Sequence, residues 1–141
     1  MKTRRAAGVT LIELMVVIIV VGVLAAIGVP TYRQYMMRTH RTEAKSALLR
    51  LAAQQERFYL QNNTYTNNLA ALGFAGGLSE QGVYTLTIPA ANNTAFTATA
   101  APTAGGGANG VDQSADTECA SFTINSQGVR TAAPDPTNRC W

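Results

Sequence analysis

Charged and polar positions are almost absent from the first long stretch of this chain, and they return after it in two different rhythms. Residues 9–29 read VTLIELMVVIIVVGVLAAIGV, with Glu13 the one charge among 21 residues. Apolar side chains would surround such a helix on every side, which excludes an amphipathic surface segment. At about 1.5 Å per residue the helix would measure about 31 Å, against a hydrocarbon core about 30 Å thick. Pro30 follows. A proline inside a helix removes a backbone donor and clashes with the preceding turn, so a kink is expected there. Beyond it Tyr32, Tyr35, Met36, Ala44, Ala47, Leu48, Leu51, Ala52 and Phe58 recur at helical spacing, the signature of a half-buried helix. Arg38, Arg41, Lys45, Arg50 and Arg57 take much of the other face, and Gln61-Asn62-Asn63-Thr64 supplies a stop. The pattern predicts one helix from about Val9 to about Tyr59, bent near Pro30.

From Gly82 the rhythm changes to period two. Tyr84, Leu86 and Ile88 alternate with Val83, Thr85 and Thr87; after a turn at Asn92-Asn93, Phe96, Ala98 and Ala100 alternate with Thr97 and Thr99. Residues 102–115 are small, Gly-rich and nearly uncharged, which predicts a mobile surface loop. Ala120, Phe122 and Ile124 alternate again, and Asn125-Ser126-Gln127-Gly128 turns into Val129-Arg130-Thr131. The expectation is an α+β fold: a long N-terminal helix packed on a roughly four-stranded antiparallel sheet, the helix covering the sheet's apolar face.

Composition narrows the choice of function. The 141 residues suffice for one domain with a modest core, and only 13% are charged, which excludes a long disordered or coiled-coil chain. The formal charge of +3 invites nucleic acid or anionic lipid, yet it is unevenly placed. Residues 1–57 carry +6 and residues 58–141 carry −3. No nucleophile elbow, metal-ligand cluster or acid pair is present, so no enzyme, no cofactor and no metal is expected. The single histidine, His40, reads as a solvated or intersubunit polar contact. Gly105-Gly106-Gly107 lacks the Gly-Lys-Ser/Thr ending of a phosphate loop.

The N-terminus admits three readings: a secretory signal cut near Ala26-Ile27-Gly28, a plain membrane anchor, or a leader cut ahead of the apolar run. Glu13 bears on the choice. A carboxylate within an apolar span costs about 2.5–3.5 kcal/mol on insertion scales. It is either a residue snorkelling to the interface or one kept for a positive partner. Gly8-Val9-Thr10-Leu11-Ile12-Glu13-Leu14, after Lys2, Arg4 and Arg5 and before an unbroken apolar run, resembles the N-terminus of a type IV pilin. The resemblance implies cleavage after Gly8 by a prepilin peptidase and N-methylation of Val9. It also implies pairing of Glu13 with the N-terminal ammonium of a neighbouring subunit during assembly. The family usually has Phe where this chain has Val9, a departure that bears on methylation more than on cleavage.

Cys119 and Cys140 allow one intramolecular pairing. A bridge over about 20 residues contributes about 3 kcal/mol in the chain-entropy model; the rival is two free thiols in the cytosol. Cations flank the apolar run on both sides, so charge leaves its orientation open. A disulfide would place the C-terminal part outside the inner membrane. Gln54-Gln55-Glu56-Arg57-Phe58-Tyr59, Asn63-Thr64-Tyr65 and the Cys140-Trp141 ending are similar to the PilE-like minor pilins. The implied organisation is a leader (1–8), a transmembrane and filament-core helix (9–29), an amphipathic continuation (30–60) and a periplasmic, later extracellular, head with a C-terminal disulfide loop (61–141). The implied function is a minor subunit of the pilus fibre, inserted in the inner membrane and then displayed at the cell surface. Its partners would be other pilin subunits, the prepilin peptidase and the assembly machinery. Two alternatives stand beside it: a ComP-like receptor that captures DNA, and a pseudopilin of a type II secretion system. A DNA receptor needs a cationic patch, and the residues from 58 onward supply only Arg130 and Arg139. Loss of residues 1–8 would remove Lys2, Arg4 and Arg5 and leave eight cations against eight anions. Gly8→Asp should abolish cleavage; an unchanged gel mobility shift between precursor and mature forms would overturn the leader reading.

Overall fold

Thr10 begins the helix by capping it: its hydroxyl accepts the Glu13 N–H at 3.3 Å and its carbonyl accepts the Leu14 N–H at 3.2 Å. Helix α1 then runs Leu11–Asn62. The computed structural model describes residues 9–105, 112–136 and 139–141; Gly8 and the rest of the leader lie outside these. The described residues form two units that divide between Tyr35 and Met36.

In the first unit every side chain from Val9 to Tyr35 is exposed. The segment is long and apolar enough to cross a membrane. Helical structure continues through Pro30. Proline offers no N–H to the preceding turn, and next to it the Thr31 hydroxyl donates to the Ile27 carbonyl at 3.0 Å. Tyr32 and Tyr35, placed by their spacing on a half-buried face, are exposed; burial along α1 starts only at His40.

In the second unit the C-terminal part of α1 buries His40, Ala44, Ala47, Leu48, Leu51 and Gln55. Asn63, in the left-handed region at φ 54°, ends the helix, its N–H bonded to the Tyr59 carbonyl, a conformation asparagine tolerates. Four strands follow in a simple meander, β1 (Tyr84–Ala91), β2 (Phe96–Pro102), β3 (Ser121–Asn125) and β4 (Arg130–Ala133), each antiparallel to the next. The expected alternation is realised: Tyr84, Leu86, Ile88, Phe96, Ala98, Ala100, Phe122 and Ile124 face inward and join Ala44, Ala47, Leu48 and Leu51 of α1 in one core. Four of these core residues, Ala44, Ala47, Ala98 and Ala100, are small. Pro89 falls where the β1–β2 register shifts, on an edge strand, the place a sheet tolerates proline.

Tyr65 stacks on Tyr59 at 4.7 Å and tilts against Phe96 at 5.0 Å, fixing the connection from helix to sheet. The fully buried Gln55 holds the same connection: its amide donates to the Thr66 carbonyl and accepts the Thr66 N–H at 3.1 Å. On the outer face Thr87, Thr99, Thr123 and Thr131 stand in one row across all four strands. The expected loop over 102–115 needs correcting at its end. Asp112 caps a 3₁₀ turn, Gln113–Ala115, and Gln113 is fully buried. Leu48, wholly inaccessible, sets a test of the core: Leu48→Ala should cost about 2–5 kcal/mol of stability in thermal or denaturant unfolding.

Candidate assembly site and the head clamp

The sequence-derived residues fall into two places, one in each unit. Val9 and Glu13 lie at the start of α1, both exposed. Thr10 at the cap and Glu13 three residues on match the Ser/Thr-x-x-Glu capping pattern, a role for Thr10 that sequence reasoning missed although the signal was there. Glu13 sits in the first turn, where the helix dipole favours an anion. It has no ion-pair partner among the described residues. The site is thus an accessible carboxylate at a helix start, surrounded by apolar side chains and able to receive a compact cation from outside.

In the second unit Cys119 and Cys140 form a disulfide with Cα atoms 5.6 Å apart. Beside it lies a polar hub the sequence did not announce. The buried carboxylate of Asp116 accepts hydrogen bonds from Arg41 Nε at 2.6 Å, Arg41 Nη2 at 2.7 Å, Gln113 Nε2 at 3.1 Å and the Cys119 N–H at 3.2 Å. Arg41 also reaches Glu118 at 3.4 Å. Gln113 donates to the Met37 carbonyl at 3.2 Å. One carboxylate therefore ties α1 to the 3₁₀ turn and to the start of the disulfide loop. Burial alone would push the Asp116 carboxyl up; hydrogen bonds from Arg41 and the Cys119 N–H, with the Arg41 charge, outweigh it and hold the group below its ordinary value. Arg41 is raised, first by its hydrogen bond to Asp116 and against its own desolvation. Tyr84, buried nearby, is raised chiefly by burial and then by the Asp116 charge.

His40, expected to be solvated or in an intersubunit contact, is not solvated: it is only 3% exposed, and neither ring nitrogen has a hydrogen-bond partner among the described residues. Its place on the inward face of α1, between Met37 and Ala44, decides this. Trp141 packs edge-on to Phe122 at 5.8 Å, with the Arg130 guanidinium 5.7 Å from its ring. No cluster of three or more metal-ligating side chains occurs among the described residues.

A long helix with an uncovered apolar N-terminal part and a carboxylate near its start, whose C-terminal part shares one core with a four-stranded meander carrying a disulfide, defines a pilin-type subunit. A family model described as "Type IV minor pilin ComP, DNA uptake sequence receptor" matches residues 30–123, and one described as "Prokaryotic N-terminal methylation motif" matches residues 3–29. The chain belongs to the type IV pilin family, within the group that the first of these models describes. It is 38% identical over 71 residues to the type IV major pilin protein PilA of Myxococcus xanthus, covering 50% of this chain and 32% of that protein. To the type IV wide pilus major component PilA4 of Thermus thermophilus it is 34% identical over 93 residues, covering 66% of this chain and 71% of that protein. Against the type IV major pilin protein PilE of Neisseria gonorrhoeae it is 36% identical over 80 residues, and spans 46% of that protein. Two solved structures share the fold. A type IV pilin from Shewanella oneidensis has a TM-score of 0.51 at 23% identity, covering 74% of this chain and 97% of that one. The non-core minor pilin PilV of Neisseria meningitidis has a TM-score of 0.50 at 24% identity, covering 70% and 88%.

The clamp yields a prediction with a sign. Asp116 has a depressed pKa in the folded chain, so its contribution is present above the unfolded-state value of about 3.9 and is lost as pH falls through the lower folded value. Unfolding midpoints of the parent should fall as pH drops below about 4. Asp116→Ala should cost about 3 kcal/mol at neutral pH, because Arg41 is left without its partner, and should flatten that acid limb in thermal melts.

Proposed function

We propose that this chain is a minor subunit of a type IV pilus. A prepilin peptidase cuts after Gly8 and Val9 is N-methylated. The mature chain is held in the inner membrane with its head in the periplasm, and the assembly machinery moves it into the fibre at the cell surface. The observation that carries this reading is the uncovered apolar surface of residues 9–29: Leu11, Ile12, Ile18, Ile19, Leu24 and Ile27 are each more than 60% exposed. So much apolar side chain needs lipid or other helices around it. Neighbouring apolar helices in a fibre core replace the lipid, and Glu13, costly if left alone there, meets the Val9 ammonium of a neighbour. Pro30 gives the segment a place to bend as it changes surroundings. The methylation-motif match supports the leader, and the relatives named above are pilus proteins, which favours a fibre over a type II secretion pseudopilin. Glu13→Ala should leave processing intact and lower recovery of this subunit in sheared fibres by at least about tenfold; parental recovery in a complementation assay would overturn the pairing role.

A second reading, capture of DNA, is favoured by the match to the family model for a DNA uptake sequence receptor. Duplex binding requires cations that displace condensed counterions. Residues 36–141 hold seven cations and seven anions, and Arg50 and Arg130 lie against the rings of Phe74 and Trp141. That balance makes the fibre subunit the primary reading. Fluorescence anisotropy of the detergent-solubilised chain with duplex DNA at two salt concentrations decides: a steep salt slope at micromolar affinity supports a receptor role, and absence of binding at low salt removes it.

A further inference from the structure

Tyr32, Arg33 and Tyr35 close the first unit, and neither the core of the head nor the Asp116 hub uses them. Tyr32 is 62% exposed and Tyr35 67%, with Arg33 exposed beside them. Three residues apart on one helix, the two tyrosines are neighbours on its surface. Between Glu13 and Thr31 the chain has no charged or polar side chain. The polar groups that return after this run thus include two phenols and a guanidinium, each a polar tip on an apolar body. Tyrosine is enriched where hydrocarbon meets lipid headgroups. An arginine at the same level lays its stem along the apolar surface and extends its charge to the phosphates. Residues 14–35 hold no carboxylate that an anionic surface would repel.

The length of the run selects lipid headgroups over a protein partner. Glu13 and Tyr32 are 19 residues apart, about 28 Å along the helix axis, against a hydrocarbon core about 30 Å thick. With Tyr32 at one boundary, Glu13 emerges at the other, and Val9 lies about 6 Å further out, among headgroups. A carboxylate at the boundary reaches water by extending its side chain. Glu13 is then hydrated in the bilayer and loses that water only when the subunit leaves it.

We infer that Tyr32, Arg33 and Tyr35 form a headgroup anchor. It seats in the anionic phospholipid surface on the C-terminal side of the span and sets the depth of α1 before assembly. The inference rests on the membrane-held subunit reading and adds what fixes the helix in place. Its test is tryptophan fluorescence of the full-length chain in vesicles of phosphatidylethanolamine and phosphatidylglycerol. Bromines are carried on the acyl chains either near the headgroups or near the bilayer midplane. Tyr32→Trp and Leu11→Trp should each be quenched at least about twofold more by the shallow bromines than by the deep ones. Val20→Trp, near the middle of the run, should show the reverse. Each signal is the difference from the parent chain, whose one tryptophan is Trp141. Adding Arg33→Leu and Tyr35→Leu to Tyr32→Trp extends the apolar run and should reverse the ratio at position 32. Non-reducing gels, which report the Cys119–Cys140 bridge, check that the head folds in every variant. Equal or deeper quenching at position 32 or 11, or a ratio that the added leucines leave unchanged, overturns the anchor. Val20→Trp untouched by the deep bromines overturns the membrane-held reading instead.

Discussion

One helix in this chain has to satisfy two surroundings, and the rest of the structure follows from that constraint. An α-helix meets its own backbone hydrogen bonds, so it can cross from an apolar solvent into a protein core without a break in its backbone ladder. What must change is the side-chain pattern. Up to Tyr35 no side chain of α1 is covered; from His40 to Gln55 one face is buried beneath a sheet. The head is therefore built on a short length of helix, with Gln55 and Tyr65 holding the exit.

Covering four strands with so little helix leaves the far end of the meander weakly anchored. Asp116 and the disulfide address this together. The carboxylate gathers donors from α1, from the 3₁₀ turn and from the Cys119 backbone, and Cys119 passes the constraint on to Cys140. A buried ion pair contributes little net stability against a well-packed apolar substitute, but it is strict about geometry. Here it fixes where the loop before β3 sits on the helix.

The periodic parts of this molecule were legible. An all-round apolar run, a three-and-four spacing and four stretches of alternation predicted α1 and β1–β4 in order, because helix and strand declare themselves within a few neighbouring positions. The hub did not declare itself: Arg41 and Asp116 are 75 residues apart, and nothing in either neighbourhood marks them as partners. The same holds for Gln113, which sits in a Gly-rich, loop-like stretch and yet is fully buried. The solvated reading of His40 failed because a polar residue on an amphipathic helix reads as outward until the covering element is known. Glu13 was legible as a motif, whereas the Thr10 cap was present in the same few letters and was not read.

The threonine row on the outer sheet face has a consequence of its own. Apart from Arg130 and the buried Tyr84, the strands carry no ionisable side chain; their outward positions are Thr, Ser, Ala, Pro and Asn. The outward positions of that face therefore carry no group that gains or loses a proton as the pH changes. Ionisable groups of this unit are concentrated instead on α1, in the connecting loops and at the Asp116 hub. The molecule has one chemically constant side and one that can register its environment.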